Sequence, residues 1–192
     1  MKNKLFLSIT LFVCLFGFSQ DKDSKKTSSF KQNEIKINGL FLILGAFEGS
    51  YERILNEVSG VGVSVLFLLD KQSDIESAFS ISPYYRFYFG EKPAAGFFIE
   101  GFANYQTSTR ATALYLYNGF SGYSQNFTEK INGFGFGLQV GGKWITKKGI
   151  LFEVNGGVGR LLSINSSLEN RTFSSSDKII GRAAITIGYR FN

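Results

Sequence analysis

The stretch Ile179–Phe191 alternates residue by residue, and this constrains the fold more than any other feature of the chain. Ile179, Gly181, Ala183, Ile185, Ile187, Tyr189 and Phe191 share one side, and Ile180, Arg182, Ala184, Thr186, Gly188 and Arg190 share the other. A period of two belongs to a strand with an apolar and a polar face. The apolar side ends on two aromatics. A strand that turns this side to lipid, sets its aromatics at the interface and faces a lumen with its polar side has this pattern.

The same period recurs upstream. Apolar residues alternate with polar or small ones over 34–45, 50–55, 61–69, 75–90, 96–107, 126–146 and 150–162, so with the last stretch the chain is expected to form eight strands. Segments 46–49, 56–60, 91–95 and 147–149 read as turns. Longer loops are expected at 70–74, 108–125 (with parts of it extending the flanking strands) and 163–177, so that apart from the first connection short and long links alternate. Short links at one end and long ones at the other are the habit of an up-and-down barrel that crosses an outer membrane. Pro83 lies inside the fourth segment and predicts a bulge or kink, because proline cannot donate to a ladder.

The first 20 residues read as a secretory signal: Lys2 and Lys4, then the apolar run 5–18, then the small residue Ser19 before Gln20. The run is too short to cross a bilayer comfortably as a helix. Cys14 follows Val13, which does not suit a lipoprotein signal, and apolar residues continue beyond it. Without the leader no cysteine remains, and disulfide or thiol chemistry is excluded. Loss of Lys2 and Lys4 leaves 19 basic against 15 acidic residues, a mild +4 with no dense basic cluster, so no nucleic-acid partner is expected. Residues 21–33 are polar and read as a flexible periplasmic lead-in, with the barrel domain at 34–192.

Alternation alone does not say which face points inward. A soluble periplasmic barrel of the lipocalin kind would put its apolar face inside. Three features favour the opposite arrangement. The polar face is rich in glycine, which would weaken a solvated strand but makes room in a narrow lumen for Tyr84, Tyr88 and Phe98. Its charges are few and nearly balanced: Lys36, Arg86, Lys143, Arg182 and Arg190 against Glu52, Glu100 and Glu153, which a lumen would require to pair. Aromatics gather where strands end, at Phe87, Phe89, Phe97, Trp144, Tyr189 and Phe191; taken singly each reads as core packing, taken together they read as an interfacial girdle.

With these residues in hand, 34–191 resembles the small eight-stranded outer-membrane barrels of the outer-membrane protein X and outer-membrane protein A β-domain type. The closing I-T-I-G-Y-R-F resembles the signal read by the barrel-assembly machinery, except that Asn192 follows the final aromatic. The segments Tyr84-Tyr85-Arg86-Phe87-Tyr88-Phe89-Gly90 and Gly141-Gly142-Lys143-Trp144 are similar to a family of small outer-membrane barrels of unknown function, which carries no activity over. The resemblance implies an all-β, eight-stranded antiparallel up-and-down transmembrane β-barrel in the outer membrane of a Gram-negative bacterium. Its expected partners are outer-membrane lipid and, during biogenesis, the assembly machinery.

No histidine is present, which rules out a His-based triad and removes the commonest metal ligand. Glu52, Glu100 and Glu153 read either as a catalytic cluster or, more simply, as salt-bridge partners in a filled lumen. The glycine strings at 133–137 and 156–159 lie inside strands and open no helix, so they make no phosphate loop. Neither enzyme activity nor any cofactor or metal is expected. The leading expectation is a structural or surface-interaction role, with loops 108–125 and 163–177 displayed outside. Tyr115, Tyr117, Phe120 and Tyr123 would be contact residues there, or would merely pack on the rim. A narrow channel for small solutes is the second reading, and a soluble periplasmic binding barrel the third.

Overall fold

The computed structural model describes residues 30–69, 75–117, 122–167, 174 and 178–192, with side-chain surroundings given for these except 75–77 and 111–127. Eight strands close into one antiparallel barrel in sequential order: β1 (Asn33–Asn38), β2 (Ala46–Asn56), β3 (Ser59–Leu68), β4 (Ile75–Tyr88), β5 (Gly96–Tyr117), β6 (Gly122–Ile145), β7 (Ile150–Ser166) and β8 (Ile179–Phe191). Closure is made by β1 on β8, from Asn33 opposite Phe191 to Asn38 opposite Thr186. No edge strand is left within the barrel wall. The expected leader, with Cys14, lies outside the described residues. The end of the expected lead-in is tied down: Phe30 packs against Ile54, Tyr88 and Phe98, and the carbonyl of Gln32 accepts a bond from the Ile54 amide at 2.7 Å.

Several boundaries, and the register at Pro83, differ from the sequence reading. The first strand stops at Asn38 and is followed by a short helix, α1 (Gly39–Ile43). Asn38 caps that helix by accepting from the Leu40 amide at 3.1 Å, and the run from Leu40 to Leu44 is apolar throughout, so nothing in it enforces a period of two. Residues 46–49, read as a turn, open β2 and carry Glu48 into the lumen. Pro83 produces no register shift: Ile81 faces Tyr105 and Tyr84 faces Phe102, and the shift between β4 and β5 lies at Ile75/Ser77 instead. Most of the expected loop 108–125 is strand. The β5–β6 ladder runs on to Tyr117 opposite Gly122, whereas β4 leaves β5 at Arg110 and β7 leaves β6 at Ile131. Seven pairs, Ala111 with Thr128 through Tyr117 with Gly122, therefore form a ribbon about 23 Å long beyond the rest of the wall. Likewise 163–166, read as loop, belongs to β7.

The apolar side points out and the polar side points in. On β4, Tyr84, Arg86 and Tyr88 are buried while Tyr85 and Phe87 are exposed. On β6, Gln139 and Lys143 are buried while Phe134, Phe136, Leu138, Val140 and Trp144 are exposed. The glycines of the inner face serve as seats for rings. A Cβ on Gly62 would lie 2.4 Å from the Tyr84 ring, one on Gly141 2.7 Å from Phe98, and one on Gly137 2.3 Å from Phe102.

Candidate functional site

The lumen is the only chemically dense region among the described residues, and β1, β2, β4, β5, β6 and β7 each send a charge to its centre. Arg86 donates from Nη1 to Glu52 at 3.1 Å and to both oxygens of Glu153 at 3.0 and 2.9 Å, and from Nε to Glu100. Its guanidinium lies between the rings of Tyr84 and Phe98, 4.7 and 4.2 Å from their centroids. Lys36 pairs with Glu52 and, at 3.0 Å, with Glu153. Lys143 pairs with Glu34 at 2.7 Å, Glu153 at 3.1 Å and Glu52 at 3.3 Å. Tyr88 donates its hydroxyl to Glu52, and Gln139 donates its amide to Glu100. All these side chains are almost wholly buried.

Of the eight residues expected to form this network, six meet in one cluster: Lys36, Glu52, Arg86, Glu100, Lys143 and Glu153. Of the two arginines of β8, Arg190 joins the cluster at its edge through Glu34, and Arg182 lies apart from it. Arg182 pairs with Glu48 at 2.9 Å and donates to Ser64 at 2.9 Å, and Arg190 pairs with Glu34 at 2.7 Å. Neither forms an ion pair with Glu52, Glu100 or Glu153, the partners that the sequence offers for them. Glu34 and Glu48, and nearer the ribbon Glu129, are the buried acids that the sequence did not single out. Glu34 was visible as the polar neighbour of Ile35, and Glu48 was hidden by reading its segment as a turn. Five acids, Glu34, Glu48, Glu52, Glu100 and Glu153, thus pair with the five bases, and a sixth buried acid, Glu129, lies nearer the ribbon, where it accepts from the Ser166 hydroxyl at 2.6 Å.

The oxygens of Glu34, Glu52 and Glu153 lie within 4.8 Å of one another, a spacing that suits a cation. The ammonium groups of Lys36 and Lys143 each reach all three of these carboxylates and fill that role. The residues present therefore make an ion-pair cluster rather than a metal centre. Beside it, towards Asn38, Glu48 and Arg182, lies a cavity of about 30 Å³, room for only one or two waters.

The end with the short turns is shut. The β4–β5 turn folds across the lumen mouth: Ala94 is fully buried against Ile54, Tyr88 and Phe98 and adopts φ +47°. The Ala94 amide donates to the Glu57 carbonyl at 2.7 Å, and Arg190 donates to the carbonyls of Pro93 at 2.8 Å and Ala94 at 2.7 Å. Arg190 thus latches this turn to β8 and Glu34 at once.

The expected girdle residues stand at this same end. Phe87, Phe89, Phe97, Trp144 and Tyr189 are exposed, Trp144 by 60%, and Phe191 is half-buried. Phe89 and Phe97 lie 5.9 Å apart, and Lys31 sits 5.3 Å over the Tyr189 ring. At the opposite end Tyr115, Tyr117 and Tyr123 belong to the β5–β6 ribbon, while Phe120 lies outside the described residues, as does most of 163–177.

Fold and site together define a closed eight-stranded barrel with an apolar exterior and a charged, filled interior. The chain belongs to the family described as protein of unknown function DUF3575, whose model matches residues 8–178. Among solved structures it is similar to the N-terminal β-barrel domain of Pseudomonas aeruginosa OprF, at 16% identity and a TM-score of 0.42, covering 84% of this chain and 98% of that one. No curated protein matches it.

Proposed function

We propose that this chain is a non-enzymatic barrel of the bacterial outer membrane, exported through a cleaved signal, with a structural or surface-interaction role. The observation that carries this reading is the outward apolar belt. On β6 it runs from Phe134 to Trp144, about 33 Å along the strand. At the tilt of about 35–45° usual for such barrels, this spans about 23–27 Å, close to the apolar band that crosses an outer membrane. In water so continuous an apolar surface would drive aggregation, and a soluble binding barrel would need its apolar face and an open cavity inside. On this reading the ribbon beyond Arg110 and Ile131 is the contact element on the far side of the membrane.

Two features argue against a channel: the ion-pair cluster that fills the waist, and the β4–β5 turn latched across one mouth. Purified protein reconstituted in planar bilayers is expected to give no discrete conductance steps. Reproducible steps would overturn the sealed-lumen reading. Membrane address is tested separately. The protein should fractionate with outer membranes and migrate differently on gels before and after heating. Full recovery in the soluble fraction without detergent, with no heat-dependent mobility, would remove the membrane reading.

A further inference from the structure

The inward fold of the β4–β5 turn has a consequence on the outer wall. β5 begins at Gly96 opposite Lys143, so the final two residues of β6, Trp144 and Ile145, have no strand neighbour on that side. A cleft of about 280 Å³ opens there, lined by Gly90, Glu91, Lys92, Ala95, Trp144 and Ile145. That volume corresponds to about nine waters at liquid density, more than enough room for a phosphoethanolamine group. Its exposed lining offers one cation, Lys92, one carboxylate, Glu91, and one indole, Trp144. Lys143 also borders the cleft, but its ammonium is engaged by lumen carboxylates. The cleft opens at the level of the aromatic girdle, where Phe89 and Phe97 continue the apolar wall above it.

We propose that this cleft seats the headgroup of a zwitterionic phospholipid bearing a primary ammonium, at the short-turn interface of the membrane. The phosphate is met by Lys92. The ammonium donates to the Glu91 carboxylate, which a trimethylated ammonium cannot do, and lies against the face of the Trp144 ring, which attracts cations through its quadrupole. The acyl chains run up the wall past Phe97. A site with one charge of each sign matches a zwitterion better than a purely anionic headgroup, which Glu91 would repel. The assignment rests on the membrane reading above and adds to it a defined lipid class.

Trp144 is the sole tryptophan of the chain and reports directly on the cleft. The full chain is refolded into mixed vesicles in which one lipid at a time carries bromine on the upper acyl chain. Brominated phosphatidylethanolamine is expected to quench Trp144 beyond its share of the bilayer, with about threefold higher occupancy than phosphatidylglycerol or phosphatidylcholine. Glu91→Gln and Lys92→Gln, both exposed turn residues, are each expected to bring that ratio towards one. Equal quenching by all three lipids, a preference for phosphatidylglycerol, or a ratio unchanged in both variants would overturn the headgroup site while leaving insertion intact. No quenching by any brominated lipid would instead overturn the membrane reading.

Discussion

Replacing Arg86 by leucine is expected to lower the unfolding free energy of the barrel by about 3–5 kcal/mol, read as a shift of the urea midpoint in lipid or detergent. The size follows from what is left behind. Arg86 alone meets Glu52, Glu100 and Glu153 together, and every partner is buried. Glu52 and Glu153 keep Lys36 and Lys143, but Glu100 retains only the neutral amide of Gln139 among its hydrogen-bonding partners. Glu100, 1% exposed, would then be left without an ion-pair partner. Breaking a buried pair on one side costs more than removing both charges. The double variant Arg86→Leu with Glu100→Gln should therefore recover part of the loss. An unchanged midpoint in Arg86→Leu would mean that the waist is solvated and that the cluster contributes little.

The second large effect is steric. Gly137→Val is expected to cost about 3 kcal/mol or to block closure outright, measured as the folded fraction on unheated gels. Gly137 faces Gly159 across the β6–β7 ladder, and the Phe102 ring lies over both. A Cβ on Gly137 would stand 2.3 Å from that ring, 2.6 Å from the Val158 carbonyl oxygen and 2.7 Å from the Gly159 Cα. The ring cannot simply move aside, because it is buried and carries the Arg182 guanidinium 4.9 Å above it. Gly181→Ala supplies the contrast: its Cβ would meet nothing within 4 Å, and the change should be tolerated. Equal folding of the two variants would show that ring seating does not govern the packing of the lumen.

Much of the site was legible in one dimension because a strand sorts its residues by parity. Lys36, Glu52, Arg86, Glu100, Lys143 and Glu153 all sit at inner-face positions, and all six come together. Parity says nothing about height along the barrel, and that is why the β8 arginines were given the wrong partners. Strand tilt and register place Arg182 beside Glu48 and Arg190 beside Glu34. Extension of the flanking strands into 108–125 was legible, but not its length, because a Thr, Tyr and Ser composition reads as loop although Thr and Tyr favour strands. The helix was missed because an apolar run without alternation is compatible with either element.

The sequence by itself determined the alternation, hence the strands, the split between an apolar and a charged face, and the absence of histidine chemistry. These are local properties, carried by neighbours two residues apart. Which carboxylate meets which base, that the β4–β5 turn folds inward under Arg190, and that a cleft opens beside Trp144 were decided only when the sheet closed. Closure brings residues more than a hundred positions apart, such as Lys143 and Glu34, to 2.7 Å. Such distances depend on register and tilt summed around the whole barrel, and no stretch of the chain contains them.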